Sequence, residues 1–200
     1  MILNNYKDPF EYTVISDFLS LEDSTTLFNL MSKRVNENES SYIDRTMFED
    51  VGHIQTGIGI IGADFPEDIS KKIQDNLIQV SDNFNYSQDL WSWVGGFNIT
   101  NPDRYLGPHT DEYEYVKQSN PNAGILKVLL YIGNGEEDYT DWGTRLYNGV
   151  DKNENFVTEV PFVPGTALVF KATKDSYHGT NFPNGLDSYR IIYGAELTNA

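Results

Sequence analysis

Among the chain's three histidines, one opens a spacing that could do chemistry: His109-Thr110-Asp111, inside "GPHTDEYEY". On an extended segment residues two apart leave from the same side, so an imidazole nitrogen and a carboxylate oxygen could face one ion. Two ligands hold a metal weakly. A third can come from His178, in "KDSYHGTNF" just after the apolar run "TALVFKA". Two histidines and a carboxylate form the facial triad of non-haem Fe(II) oxygenases, which leaves coordination positions open for substrate and O₂. The competing reading is a solvated turn that holds a histidine beside an acid, and a lone His-x-Asp does not decide between the two. His53, in "VGHIQTG", has no carboxylate at ligand spacing and reads as structural or solvated. Arg190 follows the turn "NFPNGLDS" and lies in the strand-like "YRIIYGAEL", which is expected to pair back along the strand leading from His178. A guanidinium turned into a protein interior is costly unless an anion meets it, whereas on the surface it would pair with one of the many acids.

These groups need a scaffold, and the composition allows one. Two hundred residues, 39% apolar and 14% aromatic, can enclose a core, and no linker-like stretch divides them, so a single domain is expected. The net charge of −16 opposes phosphate backbones and anionic lipid, which argues against nucleic-acid and membrane partners. Cysteine is absent, excluding disulfides, thiolate nucleophiles, Cys-ligated zinc and iron–sulfur clusters. Any metal must be held by His, Asp or Glu. The opening "MILNNYKDPFEY" has no secretory pattern and no stretch reaches the roughly 18 apolar residues of a membrane span, so a cytoplasmic location is expected. On that basis the Asn-x-Ser/Thr triplets at Asn38, Asn85 and Asn98 read as chance.

Two helices are predicted. Ser20, three residues before Asp23, resembles a capping box ahead of Leu27, Phe28 and Met31 on one face. Pro66, then Glu67 and Asp68, precede Ile69, Ile73, Leu77, Val80 and Phe84 at helical spacing. Strands follow in "GILKVLLYIG", "TRLYN", "NFVTEVPFV", "TALVFKA" and "YRIIYGAEL", separated by Gly, Pro, Asn and Asp. Helices first and short strands second predict an antiparallel sandwich or barrel with the helices packed on one sheet face. The Gly-x-Gly-x-x-Gly at Gly57 to Gly62 lacks the strand before it that a dinucleotide loop requires, and reads as a glycine-containing strand or turn. Neither a nucleophile elbow nor a phosphate loop is present.

The run "HTD … LLYIGNG … DWGTRLYNG … PFVPGTALVFKATKDSYHGTNF … YRIIYGAEL" resembles the catalytic half of the 2-oxoglutarate/Fe(II)-dependent dioxygenases, nearest their prolyl 4-hydroxylase-like branch. The resemblance spans residues 91–197, and "YTVISDFLSLEDSTTLFNLM" is similar to the family's approach to its first helix, with residues 1–90 as helical support. It implies an α+β, mainly β chain with a double-stranded β-helix, or jelly-roll, core. It implies His109, Asp111 and His178 as Fe(II) ligands, Arg190 as the partner of the 2-oxoglutarate 5-carboxylate, Tyr131 as a hydrogen-bond partner of that carboxylate, and Gly165 as a turn before the strand leading to His178. It further implies hydroxylation of a small molecule or peptide, peptidyl-proline first, with release of succinate and CO₂, and leaves room for ascorbate as reductant. The chain departs from the pattern in three places. Trp142 stands where a Gly-Gly pair usually begins, the interval from His178 to Arg190 is longer than is common, and Tyr105 is out of register for a co-substrate contact. Glu196 stands where nucleic-acid demethylases carry a second arginine, which argues against DNA or RNA, and Asp111 is present where halogenases have a small residue. Loops bearing Tyr113, Tyr115, Tyr139 and Trp142 among acids are expected near the mouth, suiting a cationic or peptide substrate or simply facing solvent. Two rivals stay open: a cupin-like metal-binding protein without oxygenase activity, and a structural β-sandwich interaction module in which the three ligands never meet.

Overall fold

The computed structural model describes residues 1–36, 43–45, 55–58, 66–86, 93–100, 106–111, 124–151, 153–180 and 189–198. Strands β1 (Ile2–Tyr6) and β2 (Tyr12–Ser16) precede helix α1 (Leu21–Asn36); β3 (Ile43–Arg45) and β4 (Gln55–Ile58) precede α2 (Glu67–Asn83). Seven strands complete the chain: β5 (Trp93–Thr100), β6 (Ile125–Ile132), β7 (Thr144–Tyr147), β8 (Phe156–Val160), β9 (Ala167–Ala172), β10 (Tyr177–Gly179) and β11 (Arg190–Thr198). All pairings are antiparallel, in a large sheet ordered β1-β2-β9-β6-β11-β5-β4-β3 and a small one ordered β10-β7-β8. The described strands do not close into a barrel.

Both predicted helices form for the expected reasons. The Ser20 hydroxyl accepts from the Asp23 amide at 3.1 Å and donates to the Asp23 carboxylate at 2.7 Å, so one residue caps the α1 backbone and steadies an acid in its first turn. Lys72 of α2 reaches that carboxylate at 2.7 Å and ties the helices together. Burial of Asp23 opposes its charge, but the hydrogen bonds from Lys72 and Ser20 win and hold its pKa below the ordinary value. Leu27, Phe28 and Met31 of α1 and Ile69, Ile73, Leu77 and Val80 of α2 are buried on one face of the large sheet. Each contributes about 1.5–3 kcal/mol by leaving water.

Strand alternation sorts the rest. Leu126, Val128, Leu130 and Ile132 of β6, Ala167 and Val169 of β9, and Ile191, Tyr193, Ala195 and Leu197 of β11 join the helices in one apolar cluster. The intervening positions Leu129, Tyr131, Leu168, Phe170 and Ile192 join Leu146 and Val160 of the small sheet in a second cluster between the sheets. Gly165, at φ +79° in the turn before β9, stands against the Leu19 carbonyl oxygen, where a Cβ would collide.

Three expectations are corrected. Helices do not simply come first: β1 and β2 precede α1, and β1, an edge strand exposed on both faces, has no apolar alternation that would announce it. The run "NFVTEVPFV" stops being strand at Val160, where Pro161, with no N–H, ends the ladder. Nor does β11 pair back along the segment that carries His178; it lies between β6 and β5, because only the middle of the large sheet covers its apolar side with helices. Gly57 and Ile58 close β4, in keeping with a glycine-containing strand, and the remainder of that motif lies outside the described residues.

Candidate metal centre

His178 lies on β10, and His109 and Asp111 lie on the segment 106–111 that runs beside it. The His109 amide donates to the His178 carbonyl at 3.0 Å and the His178 amide to the His109 carbonyl at 2.9 Å. Residues that exchange both main-chain bonds are directly opposed in an antiparallel pair, and their side chains leave from one face. The ring centroids are accordingly 4.3 Å apart. The Thr180 amide donates to the Leu106 carbonyl at 2.7 Å and extends the pairing. Gly179 permits this approach, since a Cβ there would strike the Leu106 carbonyl oxygen.

Asp111 completes the group, with Oδ2 3.2 Å from His178 Nε2 and Oδ1 3.7 Å from His109 Nε2. One nitrogen or oxygen from each residue falls within 4.8 Å of the others, the one such group of three among the described residues. The second nitrogen of each ring is engaged: His109 Nδ1 is 2.9 Å from the Gly107 carbonyl and His178 Nδ1 3.1 Å from the Ser176 carbonyl. A carbonyl can only accept, so each Nδ1 donates and each Nε2 is the ring atom turned toward Asp111, the arrangement by which metal-binding histidines are held. Burial and the neighbouring His178 push the His109 pKa down to about 4, so its imidazole is neutral near pH 7. Burial alone would raise Asp111, but His178 and Lys127 hold its carboxyl well below the usual range. Two imidazole Nε2 atoms and a carboxylate thus converge at short range, a donor set that fits a divalent ion.

Behind the carboxylate stands Lys127 of β6, whose Nζ is 3.0 Å from Asp111 Oδ2 and 2.6 Å from Glu196 Oε1 of β11. The Phe170 ring packs edge-on against His178, with centroids 4.8 Å apart.

Arg190 heads β11 on the same inner face and is 4% exposed. Its Nε donates to the Trp142 carbonyl and its Nη2 reaches Thr144 Oγ1 at 3.3 Å, to which Tyr131 also donates from 2.9 Å. Its Cζ lies 5.9 Å from the centroid of the Phe162 ring, which also stacks on Tyr131. Burial pulls the guanidinium down to about 10, still charged at neutral pH, and pushes the Tyr131 phenol up to about 12, still protonated. Among the described residues no carboxylate is hydrogen-bonded to Arg190. Trp142, itself fully buried against Phe162, has an indole N–H with no hydrogen-bond partner among the described residues. A buried cation with no carboxylate hydrogen-bonded to it among the described residues fits an anion that brings acceptor oxygens.

Of the residues singled out in the sequence, His109, Asp111 and His178 meet, and Arg190 and Tyr131 meet through Thr144. One expected rim residue is corrected: Trp142 is 0% exposed and part of the core between the sheets. Tyr139 stays partly exposed beside Glu137, Asp138 and Phe162, with its hydroxyl engaged by the Asn134 side chain and amide. The apolar mass of Trp142 is buried by Tyr131 and Phe162, which no local pattern announces. His53, Tyr105, Tyr113 and Tyr115 lie outside the described residues. Sequence reasoning missed Thr144 and Lys127 as members of the site. The signal for Lys127 was present, as one charge in the otherwise apolar strand "ILKVLLYI".

No protein-family model matches the chain, and no curated protein matches it in sequence. Solved structures do match. A prolyl-4-hydroxylase from Pseudomonas putida aligns with a TM-score of 0.66 at 14% identity, covering 93% of this chain and 91% of that one. The viral collagen prolyl hydroxylase of Paramecium Bursaria Chlorella virus-1, solved as a 2-oxoglutarate complex, aligns at 0.63 and 15% identity, covering 97% and 99%. A prolyl hydroxylase from Trichoplax adhaerens, in complex with a peptide fragment of the hypoxia inducible factor oxygen degradation domain, aligns at 0.65 and 12% identity, covering 94% and 83%. The chain therefore has the double-stranded β-helix fold of the prolyl 4-hydroxylase-like 2-oxoglutarate/Fe(II) oxygenases. No helix among the described residues is long and apolar enough to cross a membrane.

Proposed function

We propose that the chain is an Fe(II)- and 2-oxoglutarate-dependent dioxygenase that hydroxylates an organic substrate, releasing succinate and CO₂. One observation carries the reading. A three-ligand metal group and a buried arginine that no described carboxylate hydrogen-bonds share the space between the two sheets, one suited to a divalent ion and the other to a carboxylate. When bound, iron and 2-oxoglutarate supply the oxidative chemistry.

The chain's own residues do the rest. His109, Asp111 and His178 would hold the ion, each through one ligand atom. The carbonyls of Gly107 and Ser176 orient the two rings through Nδ1. Arg190, steadied by the Trp142 carbonyl and by Thr144, grips the distal carboxylate of the co-substrate, with the Tyr131 hydroxyl beside it. The apolar residues between the sheets keep water from this corner. Hydroxylation rather than halogenation follows from Asp111, which occupies a position that a halide would need. Peptidyl-proline is the substrate class to try first, because each of the three neighbours above is a prolyl hydroxylase.

Succinate formed from 2-oxoglutarate under air, by protein loaded anaerobically with Fe(II), tests the reading beside His178→Ala. Turnover is expected in the wild type, faster with a proline-containing peptide, and none in the variant. If the wild type bound neither Fe(II) nor 2-oxoglutarate, the three ligands would be an accident of spacing and the structural sandwich would replace this reading.

A further inference from the structure

Lys127 neither holds an ion nor meets a carboxylate of the co-substrate in the proposed scheme, yet it touches a ligand of the metal group directly. It faces Glu196 across the β6–β11 register, so both side chains leave from the inner face of the large sheet. Its ammonium lies between Asp111 Oδ2 at 3.0 Å and Glu196 Oε1 at 2.6 Å, and the side chains of all three are largely buried, at 13%, 11% and 19% exposed. Because a single ammonium touches both carboxylates, Glu196 can be no further from Asp111 than those two contacts laid end to end. Glu196 is not part of the three-residue group itself. A carboxylate at that range is nonetheless a hard, negatively charged donor beside an ion with open positions, and it becomes a fourth ligand unless something engages it.

We infer that Lys127 is a positioning residue that holds Glu196 away from the metal and ties up one oxygen of Asp111, so that the positions needed by a chelating co-substrate stay open. The inference rests on the proposed iron site. The charges agree with it. Lys127 offsets one of the two carboxylates, so the three residues together keep a single negative charge for a divalent cation, where Lys127 and Asp111 alone would present none.

Lys127→Met, Lys127→Met/Glu196→Gln and Glu196→Gln separate the possibilities, by calorimetric titration of each with Mn(II) and then of the Mn(II)-loaded protein with 2-oxoglutarate. Lys127→Met is expected to bind Mn(II) at least as tightly as wild type but 2-oxoglutarate about tenfold or more weakly, because Glu196 has taken a position. The double variant is expected to recover the 2-oxoglutarate affinity. Glu196→Gln, which keeps the lysine and serves if Lys127→Met does not fold, is expected to bind Mn(II) about tenfold more weakly, since the ammonium is no longer offset, and 2-oxoglutarate as wild type does. The inference is overturned if Lys127→Met binds 2-oxoglutarate normally, if its loss persists in the double variant, or if Glu196→Gln itself loses 2-oxoglutarate. A wild type that binds no Mn(II) overturns the proposed site, and this inference with it.

Discussion

Strand β11 serves two regions that obey different rules. Toward the helices it presents Ile191, Tyr193, Ala195 and Leu197, which bury apolar surface and require only shape. Toward the small sheet it presents Arg190 and Glu196, charged groups that each need a particular partner at a particular atom. The helix-covered side is where stability is made, and the inner side holds groups whose burial costs stability unless a ligand or a neighbour compensates. Substitutions on the two sides should therefore separate binding from folding.

The largest separation is expected at His178. His178→Ala should weaken metal binding by at least about 100-fold while costing less than about 2 kcal/mol in urea unfolding, since its ring rests on Phe170 at the margin of the cluster between the sheets. Equal losses in both would erase the distinction between the two sides. Leu77→Ala on the other side should do the reverse: about 2–5 kcal/mol lost in unfolding, with metal affinity of the folded protein unchanged. Arg190→Met is a finer test. It removes a buried cation that no described carboxylate hydrogen-bonds, so it should cost less than about 1.5 kcal/mol while 2-oxoglutarate affinity falls at least about tenfold. A large stability loss there would mean that Arg190 is structural.

The smallest effect is expected at the cap of α1, on the helix-covered side. Ser20→Ala should cost about 1 kcal/mol by removing the cap. Asp23 beside it has a pKa depressed below its ordinary value of 3.8, so its contribution is fully present above that pH and is lost as pH falls through the lower folded value. Asp23→Asn should flatten the acid limb of stability against pH, without moving metal affinity at pH 7.

How much of this could be read in advance depended on how local the cause was. The cap at Ser20, the stripe from Ile69 to Val80 and the β-branched and aromatic runs of β6 and β11 are local patterns, and each produced the element it predicted. Strand β1 was not legible, because an edge strand exposed on both faces needs no apolar period. The likeness to a prolyl 4-hydroxylase-like fold rested on motifs scattered through the second half, and the solved structures bear it out for the fold. The pairing partner of β11 was misread for a physical reason: adjacency in sequence favours a hairpin, while burial of its apolar side favoured the middle of the large sheet.

The sequence by itself determined which residues could do chemistry: a histidine and an aspartate two apart, a later histidine after a strand and an arginine heading another strand. Which of them meet was decided only by the tertiary structure. His109 opposes His178 through a pair of main-chain bonds, Lys127 opposes Glu196 through the β6–β11 register, and Arg190 and Tyr131 reach Thr144 on a strand of the other sheet. Registers between distant segments are chosen by the burial of whole sheet faces, since a slip of one residue would turn every side chain to the opposite face. That choice belongs to the packed core, and no short stretch of sequence contains it.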